Sequence, residues 1–298
     1  MKMLLRRATL LSCALLSLAA VPGQVLGQTL PTPRQWVDNL DLRCYDIPNQ
    51  PPLGQMLRLD HLNPVLTGMR LPFETVTLGS PEDLCVPVSK NSTPPPANVL
   101  PFIEWLDWKC YGISGPSINV PLTLTQLNPI ISSLLGPTLP VTVLQPVQLC
   151  VPVLKSTSLP PTQPPPAVLN LVANVDVKCY DVESSANHLV SLSLTHLNPL
   201  LTHLPPEQVT IGPAPVRLCV PVEKNQTPPP SSVLPLVQFS DVLCYPVDGA
   251  ALNMNLWLTH INPVLVGLHL PAENVEVTSP DTLCVPVAKN GVIPPGNP

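Results

Sequence analysis

The chain of 298 residues carries 44 prolines, about 15% against a usual figure near 5%, which excludes long helices. Hydrophobic residues make up 45% and mean hydropathy is +0.28, too apolar for a solvated disordered chain. Charged residues reach only 11%, with a net charge of −5, so the clustered cations that nucleic-acid binding needs are absent and no nucleic-acid partner is expected.

Residues 1–27 read as an export signal. Lys2, Arg6 and Arg7 form a basic start, and Ala8 to Ala20 form an apolar core too short to span a bilayer. Val25-Leu26-Gly27 suits cleavage after Gly27, with Ala20 as the alternative. Leu10-Leu11-Ser12-Cys13 faintly resembles a lipoprotein cleavage box, and Arg6-Arg7 a twin-arginine signal. No other uninterrupted apolar run of about 20 residues follows, so no transmembrane segment is expected. The expected location is periplasmic, cell-surface or extracellular.

The rest of the chain is one motif written four times. Cys44-Tyr45, Cys110-Tyr111, Cys179-Tyr180 and Cys244-Tyr245 recur at intervals of 66, 69 and 65 residues. Asp41, Asp107, Asp176 and Asp241 stand three residues before these cysteines. A central Leu-x-[His/Gln]-[Leu/Ile]-Asn-Pro follows in each copy, then Leu-Cys-Val-Pro-Val-x-Lys, ending at Lys90, Lys155, Lys224 and Lys289. This divides the chain into modules at 34–92, 97–157, 167–226 and 231–292. Between them lie Thr93 to Pro96, Ser158 to Pro166 and Thr227 to Pro230, whose proline runs favour stiff polyproline II spacers.

Eight cysteines follow the signal. Their separation is 41, 40, 40 and 40 residues within the copies but 25, 29 and 25 between them. A bridge belongs where the intervening fold is constant, which pairs Cys44 with Cys85, Cys110 with Cys150, Cys179 with Cys219, and Cys244 with Cys284. Each loop closure contributes roughly 4 kcal/mol on the chain-entropy estimate, enough to matter for modules of some 60 residues. Without Cys-x-x-Cys spacing or repeated Cys-His clustering, structural bridges are expected rather than metal sites.

Short β-branched runs such as Val175-Asp176-Val177, Val190 to Leu194, Val275 to Val277 and the Cys-Val-Pro-Val segments predict strands of four to six residues. The proline two residues after each second cysteine predicts an edge strand or a bulge. Asparagine before proline predicts a helix N-cap and first turn after Asn63, Asn128, Asn198 and Asn262. The expected fold is all-β: four tandem, small, disulfide-stapled β-sandwich-like modules joined by proline-rich spacers. If the bridged cysteines face each other on antiparallel strands, Asp41–Lys90, Asp107–Lys155, Asp176–Lys224 and Asp241–Lys289 form surface ion pairs, each contributing roughly 0 to 1 kcal/mol.

His61, His196 and His260 occupy one repeated position, but Gln126 stands there in the second copy. Glutamine replaces the hydrogen bonds of a neutral imidazole and not its acid–base chemistry, so a structural role is expected. Tyr45, Tyr111, Tyr180 and Tyr245 are candidate binding platforms for sugar or protein, with packing beside a disulfide as the alternative. Asn91-Ser92-Thr93 and Asn225-Gln226-Thr227 match a glycosylation sequon. No Gly-x-Ser-x-Gly, His-Glu-x-x-His, phosphate loop or dinucleotide fingerprint occurs, and no catalytic residue, metal ligand or cofactor is assigned.

The Asp-x-Lys-Cys-Tyr start and the Leu-Cys-Val-Pro-Val-x-Lys end resemble an uncharacterised repeat domain of exported bacterial proteins. The middle of the motif departs from it, with His/Gln-Leu-Asn-Pro in place of an Asp-Gln-Phe-Gly-like segment. The resemblance implies export and modularity and brings no active site. The expected function is that of a non-enzymatic surface or envelope spacer or adhesive scaffold. Two alternatives are a multivalent module binding envelope glycan or a surface protein, and an exported hydrolase around the irregular patch Trp105-Leu106-Asp107-Trp108.

Overall fold

The computed structural model describes residues 29–296; the signal read at residues 1–27 lies outside them. Each copy of the motif opens on a short helix, α1 (Pro33–Val37), α3 (Leu100–Ile103), α5 (Pro166–Val172) or α6 (Leu234–Val237). A first strand follows, carrying the Cys-Tyr pair: β1 (Leu42–Asp46), β5 (Asp107–Gly112), β8 (Val177–Glu183) or β12 (Val242–Pro246). The middle strands are β2 (Met56–His61), β6 (Val120–Gln126), β9 (Val190–His196) and β13 (Met254–His260). Three copies then turn through α2 (Pro64–Gly68), α4 (Pro129–Leu135) and α7 (Pro263–Gly267).

Return strands β3 (Glu74–Thr77), β10 (Glu207–Ile211) and β14 (Glu273–Val277) lead into closing strands β4 (Pro81–Lys90), β11 (Arg217–Lys224) and β15 (Pro280–Lys289). In the second copy return and closing strands run together as β7 (Thr138–Ser156).

The first and closing strands of all four copies pair around a closed antiparallel ring, β1-β4-β5-β7-β8-β11-β12-β15 and back to β1. The chain is all-β, but its architecture is this barrel with added hairpins, not a row of sandwich-like modules. A lone stapled strand pair would leave two edges and two apolar faces in water, and is marginal at best. Closing four pairs into a ring removes those edges.

Side chains alternate across the barrel wall, and both faces are buried. Facing inward are three layers: Leu42, Trp108, Val177 and Val242 opposite Pro87, Pro152, Pro221 and Pro286; then the four cystines; then a polar layer at the open end. The bridges are Cys44–Cys85, Cys110–Cys150, Cys179–Cys219 and Cys244–Cys284. The opening helices pack with this interior in one apolar core, which places them at the end opposite the polar layer. Facing outward, Tyr45, Leu84 and Val86 and their counterparts are covered by the middle hairpins.

Those hairpins come from the opposite copy. The end of β4 pairs with β9, β7 with β13, β11 with β2, and β15 with β6, so copy one exchanges with three and copy two with four. The closing-strand prolines mark the exchange, and they lie neither at an edge nor in a bulge. The carbonyls of Pro87, Pro152, Pro221 and Pro286 accept from Leu197, Ile261, Leu62 and Leu127, where each strand leaves its barrel neighbour, so the missing N–H is not needed. Asn91, Asn225 and Asn290, at positive φ, clasp the same hairpins: each side-chain oxygen accepts from Ser193, Arg58 or Thr123 at 2.9 to 3.0 Å.

The proline segments dock on the barrel and do not hold modules apart. Pro95, Pro164, Pro229 and Pro294 are each buried, and the Arg34 N–H donates to Pro295 O at 2.9 Å, joining the opening helix of the first copy to the segment after the fourth. The four asparagines cap as their spacing predicts. Their side-chain oxygens accept from Val65, Ile130, Leu200 and Val264 at 2.9 to 3.0 Å, although after Asn198 the chain makes a turn in place of a helix.

Candidate functional site

The ionisable residues repeated in all four copies meet as the strand register requires, but inside the protein. Lys90 pairs with Asp41, Lys155 with Asp107, Lys224 with Asp176 and Lys289 with Asp241, with every one of these side chains at most 7% exposed. The expectation of a surface pair therefore fails. The hairpin of another copy covers each site, and its asparagine amide donates to the aspartate: Asn128 to Asp41, Asn198 to Asp107, Asn262 to Asp176 and Asn63 to Asp241. Burial pushes Asp241 up to about 6 and Lys155 down to about 8, against the pull of their partners.

The tyrosines are not binding platforms. Tyr45, Tyr111, Tyr180 and Tyr245 are 0 to 2% exposed, because residues that alternate with inward cysteines face outward beneath a hairpin. Each hydroxyl shares a hydrogen bond with the repeated central residue of the opposite copy: Tyr45 with His196 (3.1 Å), Tyr111 with His260 (3.0 Å), Tyr180 with His61 (2.8 Å) and Tyr245 with Gln126 (3.1 Å). Burial first, and nearby lysine or arginine charge second, hold His61 and His260 near 3 and His196 near 4, so all three are neutral at ordinary pH.

Beside these pairs lie three half-buried ion pairs that also join opposite copies. Arg43 meets Glu207 at 2.5 Å, Lys109 meets Glu273 at 2.5 Å, and Lys178 meets Glu74 at 3.0 Å. The fourth position of each kind is leucine: Leu243 precedes its cysteine where the others carry a cation, and Leu139 stands opposite Leu124 as the glutamates stand opposite Leu59, Leu194 and Leu258. Leu243 is part of one apolar cluster and the partly buried Leu139 packs against it, so absence of the charge is matched on the two sides. Leu243→Lys alone buries an unpaired cation and should destabilise the barrel by about 3 kcal/mol or more. Adding Leu139→Glu should recover at least about 1 kcal/mol of that loss in denaturant titration; no coupling between the two changes would refute the pairing.

In the irregular patch Trp105 lines a cavity of about 370 Å³ with Lys155, Ser156 and Asn198, among others. Trp108 lines the barrel, its indole N–H donating to Val175 O at 2.8 Å, and Asp107 is held by Lys155. Among the described residues no group of three or more His, Cys, Asp or Glu has the geometry for a metal ion.

The four copies differ in the polar layer at the open end of the barrel. There Asp46 stands opposite Asp83, Gly112 opposite Gln148, Asp181 opposite Arg217 and Pro246 opposite Thr282. The Gln148 amide donates to both Glu82 and Asp83 at 2.7 Å. The Arg217 guanidinium reaches Asp281 at 2.9 Å and Asp83 at 3.5 Å, so one network ties the four closing strands together. A Cβ on Gly112 would lie 2.5 Å from Glu82 Oε1, so the glycine lets that side chain cross the opening. An adjoining cavity of about 600 Å³ is lined by Ser80, Glu82, Gly112, Gln148, Asp181 and Arg217, among others.

Asp83 is 3% exposed. Burial above all, then the charge of Asp281, raises it to about 7 despite Arg217. Non-repeated polar groups thus gather at this cavity. The signal was present in the sequence: residues two after the first cysteine and two before the second share the cystine face and change kind from copy to copy.

Comparison with protein-family models, with curated proteins and with solved structures finds no match to this chain. Among the described residues no helix is long and apolar enough to cross a membrane.

Proposed function

We propose that the protein is a non-enzymatic exported scaffold, a single disulfide-ringed barrel that works at the cell surface or in the envelope and meets its partner through the open end. One observation carries this reading: the Cys, Asp, Asn, Tyr, His or Gln and Lys side chains that recur in the four copies are buried and bonded within the protein. Repetition here builds the fold and does not multiply a binding site. The docked proline segments favour a compact scaffold over an extended spacer, and the four bridges and the resemblance to exported bacterial repeats support export.

The partner class is an envelope glycan or a surface protein. Retention of the secreted chain on isolated envelope fractions tests this. Wild type should be retained, and Glu82→Gln with Asp281→Asn should lose retention while still unfolding in one cooperative thermal transition. Equal retention of both removes the open end as the contact surface.

A second reading, an exported hydrolase, is favoured by Asp83 alone, a carboxyl poised near neutrality beside Gln148 and Arg217. Turnover in a hydrolase panel that disappears in Asp83→Asn would establish it in place of the scaffold.

A further inference from the structure

The four disulfides touch one another. Cys44 and Cys284 Sγ are 3.8 Å apart, as are Cys85 and Cys110, and Cys150 and Cys179; Cys219 and Cys244 are 3.9 Å apart. Bonded and contacting sulfurs therefore alternate around a closed ring of eight inside the barrel: 44–85, 110–150, 179–219, 244–284 and back to 44.

We propose that this ring is a buried thiol–disulfide relay, in which one free thiolate introduced anywhere moves around the barrel by exchange between neighbouring bridges. The register explains both the resting arrangement and the relay. Within a copy the bonded cysteines are directly opposite. Across the seams between copies they are two residues out of step: Cys110 lies opposite Asp83, Cys179 opposite Gln148, Cys244 opposite Arg217 and Cys284 opposite Leu42. They are diagonal neighbours, less well placed to be bonded at rest yet with sulfurs in van der Waals contact.

Each step balances without an outside oxidant or reductant. Cys85 thiolate attacks Cys110 Sγ, the Cys85–Cys110 bond forms, the Cys110–Cys150 bond breaks, and its electron pair leaves on Cys150. Cys150 then stands next to Cys179, and Cys219, released in turn, next to Cys244. All eight cysteines are 1 to 3% exposed, so the exchange is confined to the ring and external thiols are kept out. Burial disfavours the thiolate, which makes the relay faster at alkaline pH.

The secreted Cys44→Ser chain tests it. After incubation at pH 8.5, acid quench, unfolding and alkylation, peptide mapping without reduction should find label at Cys150, Cys219 and Cys284 as well as Cys85, with new Cys85–Cys110 bridges. The distribution should not depend on protein concentration. Label confined to Cys85, or spreading only at high concentration, overturns the relay. If that variant does not fold, the secreted Cys284→Ser chain serves: label at Cys179, Cys110 and Cys44 as well as Cys244 supports the relay, and label confined to Cys244 overturns it.

Discussion

Lys90→Met is expected to cost about 3 to 5 kcal/mol at pH 7.5, because it leaves the Asp41 carboxylate buried with only the Asn128 amide for company. A surface pair would cost about 1 kcal/mol at most, so the magnitude alone separates the two descriptions. The pH dependence adds a second check. Burial raises Asp41 above its ordinary value even with Lys90 present, and without the cation it rises further. As pH falls through that raised value the lone carboxylate takes up a proton and the penalty disappears. Denaturant titrations should therefore show the gap between variant and wild type narrowing from pH 7.5 to pH 5. Adding Asp41→Asn should restore most of the stability at pH 7.5, since the amide oxygen still accepts from Asn128. A single-variant loss below about 1 kcal/mol would mean that water reaches the pair.

The second large effect concerns acid. The unfolded chain protonates its histidines near 6.5, whereas His61 and His260 take up a proton only near 3 and His196 near 4 in the folded protein. Between those values the unfolded state binds more protons, so stability contributed by each histidine is full above about pH 6.5 and is lost as pH falls. The stake is a few kcal/mol for each, comparable in sum with the whole stability of an ordinary domain. The second copy already shows the remedy, since Gln126 bonds Tyr245 at 3.1 Å without titrating.

A triple variant with His61→Gln, His196→Gln and His260→Gln should match wild type at pH 7.5 and hold its denaturation midpoint far better at pH 4.5. The buried aspartates, whose raised values favour the folded state at low pH, are common to both proteins and cancel in the comparison. Parallel loss of stability in the two proteins on acidification would show that the histidines are not the acid-labile groups.

Much of this was legible in one dimension because fourfold repetition acts as an internal control. Constant spacing identified the strands that hold each bridge, the Asp–Lys partners, and asparagine as a cap before proline. Gln126, at the position of His61, His196 and His260, marks the repeated histidines as structural from the sequence alone. A motif shows which residues must lie on one strand pair, since the cystine sets the register and the two-residue alternation does the rest.

Contacts between copies are not encoded in spacing. Tyr45 and His196 are 151 residues apart, and nothing local to either names the other. The same holds for Arg43 with Glu207, for the sulfur ring, and for the open end where Asp83, Gln148 and Arg217 converge. A module that buries too little surface alone reads from sequence as a separate stapled unit, and it has two ways out: pack on itself, or share strands with its copies. Local propensity is the same for both.

The amino-acid sequence by itself determined an all-β chain of four equivalent stapled strand pairs. Only the tertiary structure decided that the pairs close into one barrel. Closure, with the exchanged hairpins laid over it, buries both faces of the barrel strands and removes every barrel edge, and it thereby turns the surface ion pairs into buried ones and the candidate binding tyrosines into core.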